Sequence, residues 1–189
     1  MENSNIAVVA TPRQFKGKSL DNLVDNYVLV DIETTGLSPQ KDDIIEIGAI
    51  KVKDNEVVDT FNYLINIGRN VPSHITKLTG ITTSMLQSNG KEATEVLQDF
   101  VDFAGDNIIV GHNVNFDINF IYDKCEKYLD KHLSNDFIDT MKIAKKLVDT
   151  PNYKLGTLAE YFNVDYNGAH RGLKDVEITY EVYNKLKNI

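Results

Sequence analysis

Two acidic residues early in the chain have a spacing that suits metal chemistry. Asp31 and Glu33 lie in the β-rich run Tyr27–Glu33, which is predicted to form a central strand. Because side chains alternate across a strand, both carboxylates should point to the same face. Isolated buried charge is costly, and a cation held by both acids would offset that cost. A polar strand end explains the pair equally well, so the pair alone leaves both explanations open.

A third acidic residue, Asp117, lies at the predicted start of a helix. Acids are favoured in a first helical turn by the helix dipole, and Asn115 is a suitable cap. Asp117 therefore has a structural explanation beside a metal-binding one. Its neighbour Phe116 is most simply a core residue.

His170 and Asp175 are five residues apart at the predicted start of the last helix. This spacing places Asp175 on the helix and His170 near its start, which suits a fixed ligand beside a movable base. A lone histidine before a helix is more often a surface or capping residue. His74 and His132 show no such pattern, and His112 is expected to be structural, closing a strand.

Together these segments resemble the three motifs of the DnaQ-like, or DEDDh, 3′–5′ exonuclease family. The segments are Asp31-Ile32-Glu33-Thr34-Thr35-Gly36, His112-Asn113-x-x-Phe116-Asp117 and His170-x4-Asp175. The five family positions map onto Asp31, Glu33, Asp117, His170 and Asp175. The tyrosine branch of the family would carry its tyrosine at Arg171, so the histidine branch fits. One departure is Gly172, where the family usually has alanine, and we expect it to loosen the helix start.

The resemblance implies a ribonuclease H-like α/β fold, with a five-stranded mixed β-sheet flanked by α-helices. It also implies two divalent metal ions, Mg²⁺ or Mn²⁺, bridged by Asp31. Glu33 and Asp175 would complete the first metal site, and Asp117 would hold the second. His170 would be the general base for the attacking water, and the product would be a 5′-mononucleotide. Oxygen-only ligands favour these hard cations over zinc.

The same resemblance implies contacts with the last nucleotides of a strand. The substrate-binding residues would be Thr34, Thr35, Gly36, Leu37, Leu78, Asn113 and Phe116. The two threonines would lie near the 3′-hydroxyl, and Leu37 would wedge against terminal bases. Residues 75–82 resemble the family's base-contacting loop, although a short packed helix capped by Gly80 explains them equally well.

A group of lysines is the densest basic feature of the sequence. Its members are Lys142, Lys145, Lys146 and Lys154. These side chains could follow incoming phosphates. A solvated helix face explains most of them without a ligand.

The predicted elements agree with this fold class. Strands are predicted at 27–33, 44–53, 56–66, 108–112 and 137–139, and helical segments at 72–89, 91–104, 115–131, 140–148, 155–163 and 171–188. Three strands followed by alternating helices and strands indicate a mixed α/β domain. Residues 1–26 lack a clear period and are predicted to be an N-terminal extension of an exonuclease domain at 27–189.

Composition limits the classes of protein that fit. The chain of 189 residues is 42% hydrophobic and 25% charged, as is typical of a globular protein. Its net charge of -8 argues against a protein held on DNA mainly by phosphate neutralisation, although acids gathered around cations would add negative charge. No apolar run is long enough for a membrane span, and one cysteine excludes an internal disulfide. A cytoplasmic location is the resulting expectation.

Three functions compete at this point. The first is a proofreading exonuclease of the epsilon type, acting on single-stranded DNA 3′ ends with a bacterial replicative polymerase as partner. The second is an exonuclease that trims RNA, for which the same residues would serve. The third is a non-catalytic nucleic-acid or polymerase-binding module on the same fold. The form of the first motif favours DNA over RNA, and the oligomeric state stays open.

Overall fold

A mixed β-sheet of six strands forms the centre of the molecule. The structure, a computed structural model, describes residues 12–189. The strands are β1 (Ser19–Leu20), β2 (Tyr27–Thr34), β3 (Ile44–Lys53), β4 (Glu56–Leu64), β5 (Ile109–Gly111) and β6 (Phe137–Asp139). Their order across the sheet is β1-β6-β5-β2-β3-β4. β2 pairs antiparallel with β3 and parallel with β5, and β5 and β1 both run parallel to β6.

Within residues 12–189, seven helices pack around the sheet. They are α1 (Ser73–Thr79), α2 (Thr83–Asn89), α3 (Ala93–Ala104), α4 (Asn115–Leu129), α5 (Thr140–Leu147), α6 (Leu155–Phe162) and α7 (Gly172–Lys187). Helices α3 and α4 pack on one face with Val28, Val30 and Ile32. Helices α5, α6 and α7 pack on the other face with Tyr27 and Leu29. Because side chains alternate along β2, every second residue of this strand, starting from Tyr27, faces the side of the sheet that α7 covers.

The predicted hairpin between β3 and β4 is confirmed. The two linking residues, Asp54 and Asn55, have φ values of 52° and 65°. This left-handed backbone is tolerated by Asp and Asn and matches the twist of a two-residue hairpin. Gly80, with φ 74°, ends α1 as the predicted glycine cap.

The ribonuclease H-like α/β fold is confirmed, but the predicted count of five strands is wrong by one. The additional strand is β1, whose Ser19 and Leu20 align with Phe137 and Ile138 of β6. Two residues are too few to show a period-2 pattern, so only the pairing with β6 defines this strand. β1 lies in the predicted N-terminal extension, of which residues 1–11 fall outside the described part of the chain.

Within residues 12–189, no helix has both the length and the apolar character that crossing a bilayer requires.

Candidate active site

Three carboxylates from distant parts of the sequence meet at one end of β2. Asp31 and Glu33 share the α7 side of the sheet with Leu29, as the alternation of β2 requires. Asp175 lies in the first turn of α7 and is buried. One oxygen from each of these three residues lies within 4.8 Å of the other two. This spacing allows one cation to contact all three acids.

The electrostatics of this cluster suit a cation rather than three free anions. Burial, followed by the charges of Asp117 and Asp175, raises the pKa of Asp31 well above its usual range. Burial and the neighbouring acids also raise the pKa of Glu33 to about 8. Among the described residues, Asp175 Oδ1 is buried and has no hydrogen-bond partner. An acceptor left unpaired beside two other carboxylates fits a hard divalent cation as the missing partner.

Asp117 lies next to this cluster but is not one of the three converging acids. It is only 4% exposed, and its Oδ1 accepts a hydrogen bond of 3.0 Å from the Ile32 N–H, between Asp31 and Glu33. Burial is the main cause that raises its pKa. Asp117 is thus fixed to the backbone of β2, which suits a ligand for a second cation beside Asp31.

His170 lies at the entry to α7, with its backbone fixed and its side chain exposed. Its φ is 69°, and its N–H donates to Asp175 Oδ2 over 3.0 Å. Asp175 therefore connects the acid cluster to the histidine through the main chain. The ring lies edge-on to Tyr166, with 6.5 Å between centroids.

A buried ion pair that the sequence analysis missed holds the start of α7. Glu46, only 1% exposed, accepts bonds from Arg171 Nε at 3.1 Å and Nη2 at 2.9 Å. It also accepts the Gly172 N–H at 2.9 Å. Glu46 is directly opposite Glu33 in the β2–β3 register, and the Arg171 charge opposes the rise in the Glu33 pKa. The sequence feature that could have revealed this ion pair is an acid inside the apolar run Ile44-Ile45-Glu46-Ile47.

Gly172 has a packing role that the sequence did not predict. It is buried, and a Cβ at this position would lie 3.0 Å from the backbone nitrogen of Gly48 on β3. The two glycines let α7 approach the sheet closely at the level of Asp31, which faces Gly48 in the register. Whether Gly172 also loosens the helix start stays a prediction.

Tyr166 is a further site residue that the sequence analysis missed. Burial raises its pKa, and the charges of Asp175 and Asp31 raise it further, so its hydroxyl is close to the cluster. No motif contains this position, and it comes near the acids only because the chain before His170 folds back toward them.

The loop after β2 is held by its own side chains and by Asp43. Thr34 Oγ1 donates to the Gly36 carbonyl over 2.6 Å. Thr35 Oγ1 accepts from the Asp43 N–H at 2.9 Å and from Arg69 Nη2 at 3.1 Å. Leu37, next in the loop, is 85% exposed. The structure thus presents an exposed apolar side chain four residues after Glu33, and its role toward a substrate stays a prediction.

The remaining predicted substrate-binding residues have mixed environments. Asn113 is exposed with φ 58°, and its N–H donates to Asp139 Oδ1. Phe116 is half-buried against Phe120, with centroids 4.8 Å apart. Leu78 is 54% exposed on α1. Their roles toward a substrate stay predictions.

His112 has the environment expected of a structural histidine. Its two ring nitrogens lie 2.9 Å from Thr140 Oγ1 and from the Tyr153 carbonyl oxygen. Burial lowers its pKa. The ring therefore connects the end of β5 to α5 and to the segment before α6.

The acid cluster does not lie in the molecule's cavity of about 300 Å³. That cavity is between α3, α4 and the segment after β4, and its lining includes Lys124 and Asp43.

The fold and the cluster define the class of protein, and the comparison with known families agrees. The exonuclease family model named RNase T matches residues 28–183, and the chain belongs to this family. The prediction of an exonuclease is thereby confirmed.

Two relatives show where this domain occurs. The chain is 43% identical over 171 residues to the PolC-type DNA polymerase III of Caldanaerobacter subterraneus subsp. tengcongensis, covering 90% of this chain but 12% of that protein. It is 37% identical over 179 residues to the DNA polymerase III subunit epsilon of Aquifex aeolicus, covering 94% of this chain and 87% of that one. The chain thus matches a small part of the former and most of the latter.

Solved structures agree on the fold. Exonuclease I of E. coli in a complex with single-stranded DNA matches with a TM-score of 0.76 and 18% identity, over 87% of this chain and 40% of that one. Exonuclease X in complex with 5′ overhanging duplex DNA matches with a TM-score of 0.66 and 23% identity, over 86% of this chain and 91% of that one. At these identities the likeness concerns the fold.

Proposed function

We propose that this chain is a metal-dependent 3′–5′ exonuclease that releases 5′-mononucleotides from single-stranded DNA. One observation carries the proposal, namely the convergence of Asp31, Glu33 and Asp175 oxygens within 4.8 Å. Such a cluster suits phosphodiester hydrolysis because divalent cations stabilise charge on the attacking and leaving oxygens. Asp31, Glu33 and Asp175 would hold one Mg²⁺ or Mn²⁺ ion, and Asp117 with Asp31 would hold a second.

His170 supplies the proton transfer in this proposal. Its exposed imidazole takes a proton from the water whose oxygen attacks the last internucleotide phosphorus. The bond from phosphorus to the 3′-oxygen breaks, that oxygen gains a proton, and the terminal nucleotide leaves with the 5′-phosphate. Asp175 positions His170 through the 3.0 Å backbone hydrogen bond.

The strand end is bound by the loop after β2 and by the start of α4. Thr34, Thr35 and Gly36 lie directly after the acids and would face the 3′-terminal sugar. Leu37 would pack against the terminal bases, with Phe116, Asn113 and Leu78 as further contacts. Support for Leu37 comes from its 85% exposure beside a polar site, where an unpaired apolar side chain gains by stacking against a base.

Proofreading or repair of DNA in the cytoplasm is the cellular role that we propose. The support is the family likeness to two DNA polymerase III proteins, one a separate subunit and the other a much longer chain. A polymerase subunit is the corresponding partner.

The decisive experiment follows the release of label from 3′- and 5′-labelled oligonucleotides of DNA and RNA, with and without EDTA. We expect 3′-labelled DNA to release labelled mononucleotides early in the reaction, and we expect EDTA to abolish this release. Strict preference for RNA would replace the proposal with an RNA-trimming enzyme. Absence of nucleotide release in Mg²⁺ and Mn²⁺ would instead indicate a non-catalytic binding module. Asp31→Asn is the matched negative control because it removes one charge with little change in volume.

A further inference from the structure

Two lysines next to β1 form a cationic patch, and one of them, Lys16, precedes the family match. Lys16 belongs to the segment before β1, and Lys142 lies in the first turn of α5. Lys142 Nζ contacts Ser19, and Lys16 Nζ lies over the ring of Phe137, which is directly opposite Ser19 in the β1–β6 register, so the two ammonium groups are neighbours. The positive charges of Arg13 and Lys142 accordingly lower the pKa of Lys16, after burial. Within residues 12–189, neither ammonium has a carboxylate at ion-pair distance. We call Lys16 and Lys142 the lysine pair.

Neutral groups hold the pair in place. The Lys16 ammonium donates to Asn115 Oδ1 at 2.5 Å and to Asn119 Oδ1 at 2.6 Å, and it lies 5.2 Å from the Phe137 ring centre. Lys142 Nζ donates to Ser19 Oγ at 3.1 Å. None of these groups carries a charge that offsets the lysines.

Neighbouring charges do not neutralise the lysine pair either. Asp123 raises the Lys16 pKa less than burial, Arg13 and Lys142 lower it, and this carboxylate is already bound by Arg13 at 2.6 and 2.7 Å. Two adjacent cations without an anion cost free energy, most of all in a chain with a net charge of -8. A bound anion would recover that cost.

The position of the lysine pair relative to α4 indicates which kind of anion fits it. Asn115 and Asn119 lie two residues before and after Asp117, on the other side of α4. The Lys16 ammonium is therefore on the order of 10 Å from Asp117, about the diameter of one helix. A few nucleotides of a strand span this distance. Other members of the lysine-rich segment are engaged, since Lys146 pairs with Asp21 at 3.0 Å and Lys145 lies over the Tyr153 ring.

We propose that the lysine pair binds backbone phosphates of the strand whose 3′ end occupies the acid cluster, a few nucleotides upstream of the cleaved bond. This inference rests on the proposed function. It gives residues 12–20, which precede the family match, a direct part in binding the substrate.

The test measures DNA binding in a background that retains the acids. The double variant Lys16→Gln/Lys142→Gln would be compared with the wild-type pair in the His170→Ala protein with Mg²⁺. Glutamine can still donate to Asn115, so the local fold is preserved. Lys53→Gln, at the exposed end of β3, is the matched charge control. Fluorescence anisotropy would follow an oligonucleotide of about 15 nucleotides and a dinucleotide between about 50 and about 200 mM salt.

We expect the double variant to lose roughly tenfold in affinity for the long single strand at low salt. The slope of log affinity against log salt should become shallower by about 1.4, at about 0.7 per phosphate contact. Binding of the dinucleotide should stay within about twofold, because its single internucleotide phosphate would lie at the acids and none would reach the pair.

Two results would overturn the inference. One is a double variant that binds the long strand like Lys53→Gln, and the other is an equal loss of affinity for the dinucleotide, which would show that no upstream phosphate is involved. Release of nucleotides by the otherwise wild-type protein is measured separately. If that release is seen and the double variant binds like the control, the inference fails while the proposed function stands.

Discussion

Removing the charge of Glu33 should change the pH dependence of stability in the metal-free protein. The folded state raises the pKa of Glu33 from its ordinary 4.5 to about 8, mainly through burial and then through Asp175. Between these two pH values the folded protein keeps a proton that the unfolded chain has lost. Stability should therefore be highest below pH 4.5 and should fall as the pH rises to about 8.

The size of this effect follows from the shift. A change from 4.5 to about 8 corresponds to about 4 to 5 kcal/mol at about 1.4 kcal/mol per pKa unit. For a domain of this size, 1 kcal/mol changes the unfolding midpoint by about 2 to 4 °C. Glu33→Gln should thus match the wild type near pH 5 and exceed it by roughly 10 °C or more near pH 9 in EDTA.

The assay is thermal and denaturant unfolding from pH 5 to pH 9, in EDTA and in Mg²⁺. Glu56→Gln is the control, because Glu56 is exposed at the start of β4. Bound cations should stabilise the wild type at high pH, since a ligand that binds only the folded state adds stability. The difference in unfolding midpoint between Glu33→Gln and the wild type should therefore become smaller in Mg²⁺. A constant difference between wild type and Glu33→Gln across this pH range in EDTA would refute the reasoning.

Three further substitutions test other parts of the site. His170→Ala should slow single-turnover hydrolysis by roughly a hundredfold or more and leave the unfolding midpoint nearly unchanged; near-normal turnover would remove His170 from its role. Arg171→Ala should destabilise the protein by roughly 2 to 4 kcal/mol in denaturant unfolding, because it leaves the buried Glu46 carboxylate without its cation. Leu37→Ala should raise KM for single-stranded DNA about fivefold with no loss of stability, consistent with the loss of about 1 kcal/mol of apolar contact.

Sequence predicted most of the fold because the central elements carry strong local signals. β2 is an apolar run with two acids at i and i+2, and the hairpin after it has the turn residues that its backbone needs. The parallel pairing of β2 with β5 then brings Asp117 beside Asp31, as the motif order implied.

The features that sequence missed depend on contacts between distant segments. β1 exists only through its two-residue pairing with β6. Glu46 and Arg171 are 125 residues apart, and neither residue type indicates the other. The approach of Tyr166 to the acids likewise depends on the path of the chain before α7.

The outer strand β4 has a consequence for the behaviour of the protein in concentrated solution. In the part of the chain that the structure describes, β4 ends the sheet, and its first five residues, Glu56 to Thr60, are exposed. A free strand edge with exposed Val57 and Val58 is a template for pairing with another chain, which leads to aggregation. Glu56 and Asp59, directly opposite Lys53 and Lys51 of β3, place charged side chains on this edge, and charges on an edge strand disfavour pairing with another chain. Charge at a site remote from the acid cluster thus protects the protein against aggregation, and high salt weakens that protection.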